Sequence, residues 1–215
     1  ARAHAAVWGA GSVIAEEYPD TWGGLVDLDP GASEEQAAAE LAGHCLVPNG
    51  ERQVAFRGGR RLAQRFSPEA PSGAAAPGFR CRPDASYLVT GGLGGVGVEA
   101  ALWLAERGAR WLIVVGRTPL PPRESWDEVD PQSAIGRRIA AVRRIEATGA
   151  NLFTAVADVG QQVQLESLHQ AAAAEGWPAV RGILHAAGTT GDRLIRDVDP
   201  ASLLAVMRPK VRGTW

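Results

Sequence analysis

The sequence predicts an α/β protein whose larger part is a doubly wound parallel sheet, and three observations predict it. From residue 84 onward, short apolar runs alternate with helix-length stretches. Strands alternating with helices imply right-handed crossovers and a parallel sheet covered on both faces. Next, Tyr87-Leu-Val leads into five glycines within residues 91–97, and these lead into Val98-Glu-Ala-Ala-Leu-Trp-Leu-Ala-Glu-Arg107. That order is strand, tight turn and helix N-terminus. Finally, 215 residues, 46% of them hydrophobic, suffice for one large domain or two small ones with ample core.

Residues 1–66 read as a smaller α/β unit ahead of that sheet. Ala3 to Glu17 predicts a helix with Ala6, Val7, Val13 and Ile14 on its apolar face and Pro19 beyond its end. Gly24-Leu-Val-Asp-Leu-Asp29 predicts a buried strand with polar ends. Ser33 is an N-cap, with Gln36 at the capping-box position, for a helix running to about His44. Arg52–Arg57, Gly58-Gly59 and Arg60–Phe66 form a hairpin signal, two alternating runs around a Gly-Gly turn. The unit has no glycine fingerprint and no evident site. Residues 67–83, rich in Pro, Ala, Gly and Ser, read as a linker.

Residues 84–215 then alternate regularly. Strand Ser86–Thr90 leads to helix Gly95–Arg107 and strand Trp111–Val115. A polar, proline-rich insertion occupies Thr118 to about Gln132. Helix Ile135–Thr148, strand Leu152–Val156, helix Val163–Glu175 and strand Gly182–His185 follow. Asp192–Val198 and Pro200–Met207 are expected to be helical. Four such strands are about two-thirds of a full dinucleotide-binding sheet. The expectation is therefore an incomplete sheet, within a fragment of a longer polypeptide.

Composition narrows the function classes. The formal charge is −2, no run of 18 apolar residues occurs and no basic face is evident, so neither a membrane nor a nucleic acid is expected as partner. Cys45 and Cys81 lack a CxxC or a neighbouring His at metal-ligand spacing. Free thiols in a reducing cytosol, and no metal site, are the expectation. No signal-peptide pattern is seen in the first residues, and a cytoplasmic location is the expectation. Lys210 is the sole lysine.

The glycine run carries the first chemistry. Gly92-x-Gly94-x-x-Gly97 fits the dinucleotide fingerprint, and Thr90-Gly91-x-x-x-Gly95-x-Gly97 fits its short-chain dehydrogenase/reductase version. Such a turn brings backbone against a pyrophosphate, whose charge the helix N-terminus favours. Thr90, Gly91, Gly92, Leu93, Gly94, Gly95, Val96 and Gly97 are thus candidate cofactor contacts. Gly116-Arg117 follows the second strand, about 20 residues beyond Gly97, where the ribose-reading residue is expected. An arginine there pairs with a 2′-phosphate and selects NADPH over NADH; the alternative is a solvated surface arginine. Arg123, in the insertion, could add a second contact. Asp158 can accept from the adenine amino group with Val159 facing the ring, or it caps the next helix. His185-Ala186-Ala187-Gly188 ends the fourth strand with small residues that let a cofactor ribose pass; His185 reads as a packed strand residue more than as an acid or base.

Taken in order and spacing, Thr90-Gly-Gly-Leu-Gly-Gly-Val-Gly97, Gly116-Arg117, Ala157-Asp158-Val159, Gly182-Ile-Leu-His-Ala-Ala-Gly188 and Pro209-Lys-Val-Arg-Gly213 resemble the ketoreductase domain of type I modular polyketide synthases. Val7-Trp-Gly-Ala-Gly, Glu17-Tyr-Pro-Asp, Trp22-Gly-Gly-Leu-Val-Asp-Leu-Asp-Pro30 and Glu51–Arg57 are similar to the same family's truncated structural subdomain. The resemblance covers nearly the whole chain; Thr118–Gln132 matches a region that only some members carry. It implies a Rossmann-like fold and NADPH-dependent reduction of a 3-oxoacyl group, carried on the phosphopantetheine of an acyl carrier protein, to a 3-hydroxyacyl group. Neighbouring synthase domains are the other implied partners. A tyrosine donates the proton, assisted by serine, asparagine and a lysine in a Lys-Val-x-Gly segment, the place Lys210 occupies; its alternative is a solvated helix end. Tyr18 and Tyr87 do not match the family's tyrosine, which, with serine and asparagine, is expected beyond Trp215. The 215-residue chain alone is therefore expected to be inactive. Members that form the D-hydroxyl resemble one another in a Leu-Asp-Asp stretch. Here Thr190, Gly191 and Asp192 align with it, so Asp192 is a substrate-side candidate or a helix cap, and the D product is the expectation. An inactive structural ketoreductase-like domain and a fatty acid synthase ketoreductase are the competing readings.

Overall fold

The computed structural model describes residues 4–47, 50–68 and 78–215. The chain divides into two compact units, Ala1–Ala74 with Arg193–Val198, and Ala75–Asp192 with Asp199–Trp215. Ala3, where the first helix was expected to begin, and residues 69–77 of the expected linker lie outside the described residues.

In the first unit, helix α1 (Ala5–Glu17) precedes β1 (Leu25–Asp27), α2 (Glu34–Leu46), β2 (Gln53–Arg57) and β3 (Arg60–Ala63). Strand β1 pairs parallel with β2, and β2 pairs antiparallel with β3. Gly58 and Gly59 turn the hairpin with φ of 56° and 71°, a left-handed conformation that residues with a side chain rarely adopt. Val54 and Phe56 on the middle strand form the buried face. The edge strand β1 is half-buried throughout, against the expectation of a buried strand, because it has a neighbour on one side only. Ser33 Oγ accepts from the Gln36 amide at 3.2 Å, while the Gln36 side chain turns to Glu40, so only half of the capping box forms. Arg193–Val198 joins this unit, and the Ile195 amide donates to the Glu17 carboxylate at 2.7 Å.

The second unit runs β4 (Ser86–Thr90), α3 (Gly95–Glu106), β5 (Trp111–Gly116), α4 (Ala134–Glu146), β6 (Asn151–Val156), α5 (Gln162–Ala174), β7 (Val180–His185) and α6 (Pro200–Val211). The sheet order is β6-β5-β4-β7 and every pairing is parallel. This is the Rossmann-like order the sequence predicts, with Thr90, Val115 and His185 level at the carboxyl ends. Val89, Leu112 and Val114 pack with Ala101, Leu104, Ala105 and Ile145 on one face. Ile113 and Val115 pack with Leu168 and Ala172 on the other. Each fully buried Leu, Ile or Val among them stabilises the fold by roughly 1.5–3 kcal/mol.

In the second unit, two further expectations change. The insertion is not simply a polar loop: it forms a 3-10 turn, Arg123–Glu128, around the buried Trp126. That ring packs on Ile139 and Val142, and its Nε1 donates to the Pro121 carbonyl at 2.9 Å. Asp192–Val198 is not helical beyond a single 3-10 turn, Ile195–Asp197. The stronger start signal lies just after it, where the Asp199 carboxylate caps the Ser202 amide at 2.8 Å and Pro200 occupies the first turn of α6. Helix α6 then continues past Met207 to Val211 with Pro209 inside it. A proline there forfeits only one hydrogen bond of the last turn.

Candidate functional site

A cleft of about 710 Å³ opens at the carboxyl ends of β4, β5 and β6. Gly91 and Ala186 flank it where the strand order reverses between β4 and β7, the position at which sheets of this type bind ligands. Of the candidate residues, Gly91, Leu93, Gly94, Gly116, Arg117, Asp158, Val159, Ala186, Ala187 and Gly188 line the cleft.

The glycines do two different jobs. A Cβ on Gly92 would stand 2.5 Å from Val114 Cγ1, and one on Gly97 would run into the Gly91 carbonyl oxygen. Gly91 combines a φ of +67° with only 2.7 Å between a Cβ position and the Ala186 carbonyl oxygen. These three let the turn, β5, β7 and α3 approach closely. Gly95 has open space where its Cβ would be, and Gly94, the N-cap of α3, offers no side chain to the first-turn amides. Those free N–H groups, at the positive end of the helix dipole, fit a pyrophosphate.

At the end of β5, Arg117 is exposed and pairs with no carboxylate among the described residues. Arg123 reaches the cleft wall too, but its guanidinium is held by both carboxylate oxygens of Glu146 and lies 4.7 Å above the Trp126 ring. The Glu146 hydrogen bond raises its pKa above the ordinary arginine value. A different cation, the half-buried Arg138 of α4, lines the cleft instead. Sequence reading missed it, since Arg138 follows four positions after Ala134 among several arginines and nothing local distinguishes it.

Asp158 does not cap α5, whose N-cap is Gln161. Its Oδ1 accepts from the Gly160 amide at 2.8 Å, and its other oxygen lies 3.3 Å from Arg208 Nη2. The Asp158 backbone amide donates to Gln164 Oε1 at 2.7 Å.

Thr90 and His185 do not line the cleft; they bond one another behind it, with Thr90 Oγ1 2.7 Å from His185 Nδ1. Lys210 stands in the last turn of α6, exposed, with its Cε 3.8 Å from the Cβ position of Gly188. Asp192 is exposed in irregular chain and is not the N-cap of the following 3-10 turn, which is Leu194. Tyr87 does not face the cleft: it is buried and its hydroxyl accepts from the Arg82 amide at 2.7 Å, while Tyr18 ends α1 in the first unit. No metal-ligand cluster and no helix long and apolar enough to span a membrane occur among the described residues.

Residues 85–215 match the family model described as KR domain. Over 211 residues the chain is 40% identical to part of a phenolphthiocerol/phthiocerol polyketide synthase of Mycobacterium tuberculosis, covering 97% of this chain and 11% of that protein. It is 38% identical to the 5-methyl-1-naphthoate synthase of Streptomyces sahachiroi, covering 99% of this chain and 12% of that one. Among solved structures, the ketoreductase from the first module of phoslactomycin biosynthesis in Streptomyces sp. HK803 superposes with a TM-score of 0.73 at 33% identity, over 97% of this chain and 44% of that one. An A-type ketoreductase from a modular polyketide synthase gives 0.73 at 34% identity, over 99% and 42%. The chain thus spans about a ninth of the curated relatives and under half of the matched structures.

Proposed function

This chain belongs to the KR domain family, the ketoreductases of polyketide synthases, and from that membership we propose that it forms the NADPH-binding part of a reductase acting on a 3-oxoacyl group carried by an acyl carrier protein. The observation that carries the cofactor reading is the cleft itself: an uncapped helix start at the open Gly95 on one side, and unpaired Arg117 with Arg138 on the other. Bound there, NADPH would supply the hydride. The first-turn amides of α3 would hold its pyrophosphate, Arg117 its 2′-phosphate with Arg138 nearby, and Asp158 and Val159 would border its adenine. Lys210, beside Gly188, would hold the nicotinamide ribose and lower the proton affinity of a tyrosine.

Neither Tyr18 nor Tyr87 matches the family's tyrosine in sequence, and the Tyr87 hydroxyl is held by the Arg82 amide, so in this reading the proton donor lies outside these 215 residues. The isolated chain then binds NADPH but does not turn over. A polypeptide extended to the length of the matched ketoreductases, given a 3-oxoacyl thioester, oxidises NADPH and yields the 3-hydroxyacyl product. NADPH binding without turnover in the extended form would instead favour a structural, non-catalytic domain. Turnover by the 215 residues alone would contradict the placement of the proton donor.

A further inference from the structure

We propose that His185 is a positioning residue: as a neutral imidazole protonated on Nε2, it ties the Thr90 hydroxyl to the Pro209 carbonyl and thereby sets Lys210 beside Gly188. Its bearing on turnover rests on the reading of Lys210 given above; the hydrogen-bond chain does not.

The partners of the ring fix its tautomer. The Ala187 amide donates to Thr90 Oγ1 at 3.3 Å, and the Thr90 proton has His185 Nδ1 as its acceptor, 2.7 Å away. That requires a lone pair on Nδ1. On the far side, His185 Nε2 stands 2.9 Å from the Pro209 carbonyl oxygen, which can only accept. That requires a proton on Nε2. The other tautomer would set two acceptors against each other at this distance. An imidazolium would leave the Thr90 hydroxyl accepting two N–H groups, with no partner here for its own proton.

The Pro209 carbonyl needs an outside donor. It lies in the last turn of α6, where carbonyls lack intrahelical partners. The Gly213 amide, which would ordinarily close on it, donates to Arg208 O instead at 3.1 Å. The Lys210 carbonyl is satisfied separately, by Thr214 Oγ1 at 2.6 Å. No residue of α6 is buried, so packing alone holds this turn weakly. His185 is therefore a directed link from the end of β4 to the residue preceding Lys210. Because Thr90 and His185 stand behind the cleft wall, loss of the link should act on the cofactor and the chemistry only through Lys210.

The test has two arms. In the chain labelled with ¹⁵N-histidine, long-range proton–nitrogen spectra resolve the ring tautomers of the four histidines. The expected spectrum shows His185 neutral with its proton on Nε2, and Thr90→Val shifts the Nδ1 resonance of His185 alone. A proton on Nδ1, or no response to Thr90→Val, overturns the proposal. In the extended reductase, His185→Phe should lower kcat about tenfold and weaken NADPH binding no more than Lys210→Met does. His185→Gln, whose side-chain amide can still donate to Pro209 O, should recover most of that loss. Wild-type kcat in the Phe variant, or equal losses in both, overturns the positioning role. Near-normal kcat in Lys210→Met would overturn the reading of Lys210 while the tautomer spectrum still reports on the hydrogen-bond chain.

Discussion

Strands β4 and β5 lie between two packed layers, whereas β7 and α6 carry much of their apolar surface in solvent. Val89, Val114 and Val115 are at most 1% exposed; Ile183 of β7 and Leu204 of α6 are 64% and 65% exposed. Both regions bear candidate site residues, the glycine turn on the first and Lys210 on the second. The glycine turn is fixed by steric closeness: backbone and valine side chains occupy every position where Gly91, Gly92 or Gly97 could carry a Cβ. The Lys210 turn is fixed by polar links, namely Asp158 with Arg208 and His185 with Pro209 O. Burial is non-directional and strong in sum, while single hydrogen bonds contribute about 0.5–1.5 kcal/mol but fix orientation. Substitutions in the first region should therefore register as lost stability, and those in the second as lost function in a folded protein.

The widest separation should appear within the glycine turn itself. Gly97→Val places a branched side chain against the Gly91 carbonyl, and we expect a loss of about 3 kcal/mol or more, read by urea denaturation. Gly95→Ala meets open space and should alter stability by less than about 0.5 kcal/mol while weakening NADPH binding. If the two variants unfold alike, close approach is not what holds the turn. Trp126→Ala should cost about 3 kcal/mol, because the ring anchors the insertion to Ile139 and Val142. An unchanged denaturation midpoint would make the insertion a passive loop.

In the second region, Lys210→Met in the extended reductase should reduce kcat by about 100-fold with an unaltered melting temperature. A drop in melting temperature of equal rank to that of Gly97→Val would blur the contrast between the regions. The smallest effect concerns stereochemistry. The product is expected to be the D-3-hydroxyl, and Asp192→Ala should erode that preference; chiral chromatography of the product decides it. A predominantly L product would show that the Leu-Asp pair absent at Thr190 and Gly191 outweighs Asp192.

Much of the second unit was legible because its signals are local. Each of its four strands is an apolar run, and the structure starts or stops it within two residues of the expected bounds. The glycine turn and Arg117 were placed by spacing alone, and both lie on the cleft. What escaped depends on contacts distant in sequence. Trp126 looked like one aromatic in a polar stretch until α4 folded beneath it. Arg123 and Arg138 could not be ranked, since Glu146, which engages Arg123, is 23 residues away. The Thr90–His185 bond spans 95 positions, so His185 could be read as a strand residue but not as a link. Asp192–Val198 failed for a nearer reason: the better helix start, Asp199-Pro200, lies directly after it.

If the cleft beyond β4, β5 and β6 is an NADPH site read by Arg117, that will show in the dissociation constants of NADPH and NADH for the wild-type chain and for Arg117→Ala. We expect wild type to bind NADPH more tightly, and Arg117→Ala to lose about tenfold or more for NADPH with little change for NADH, since only the former carries the 2′-phosphate. Equal losses for both cofactors would contradict the assignment of Arg117, and no measurable binding of either would contradict the cleft as the nucleotide site.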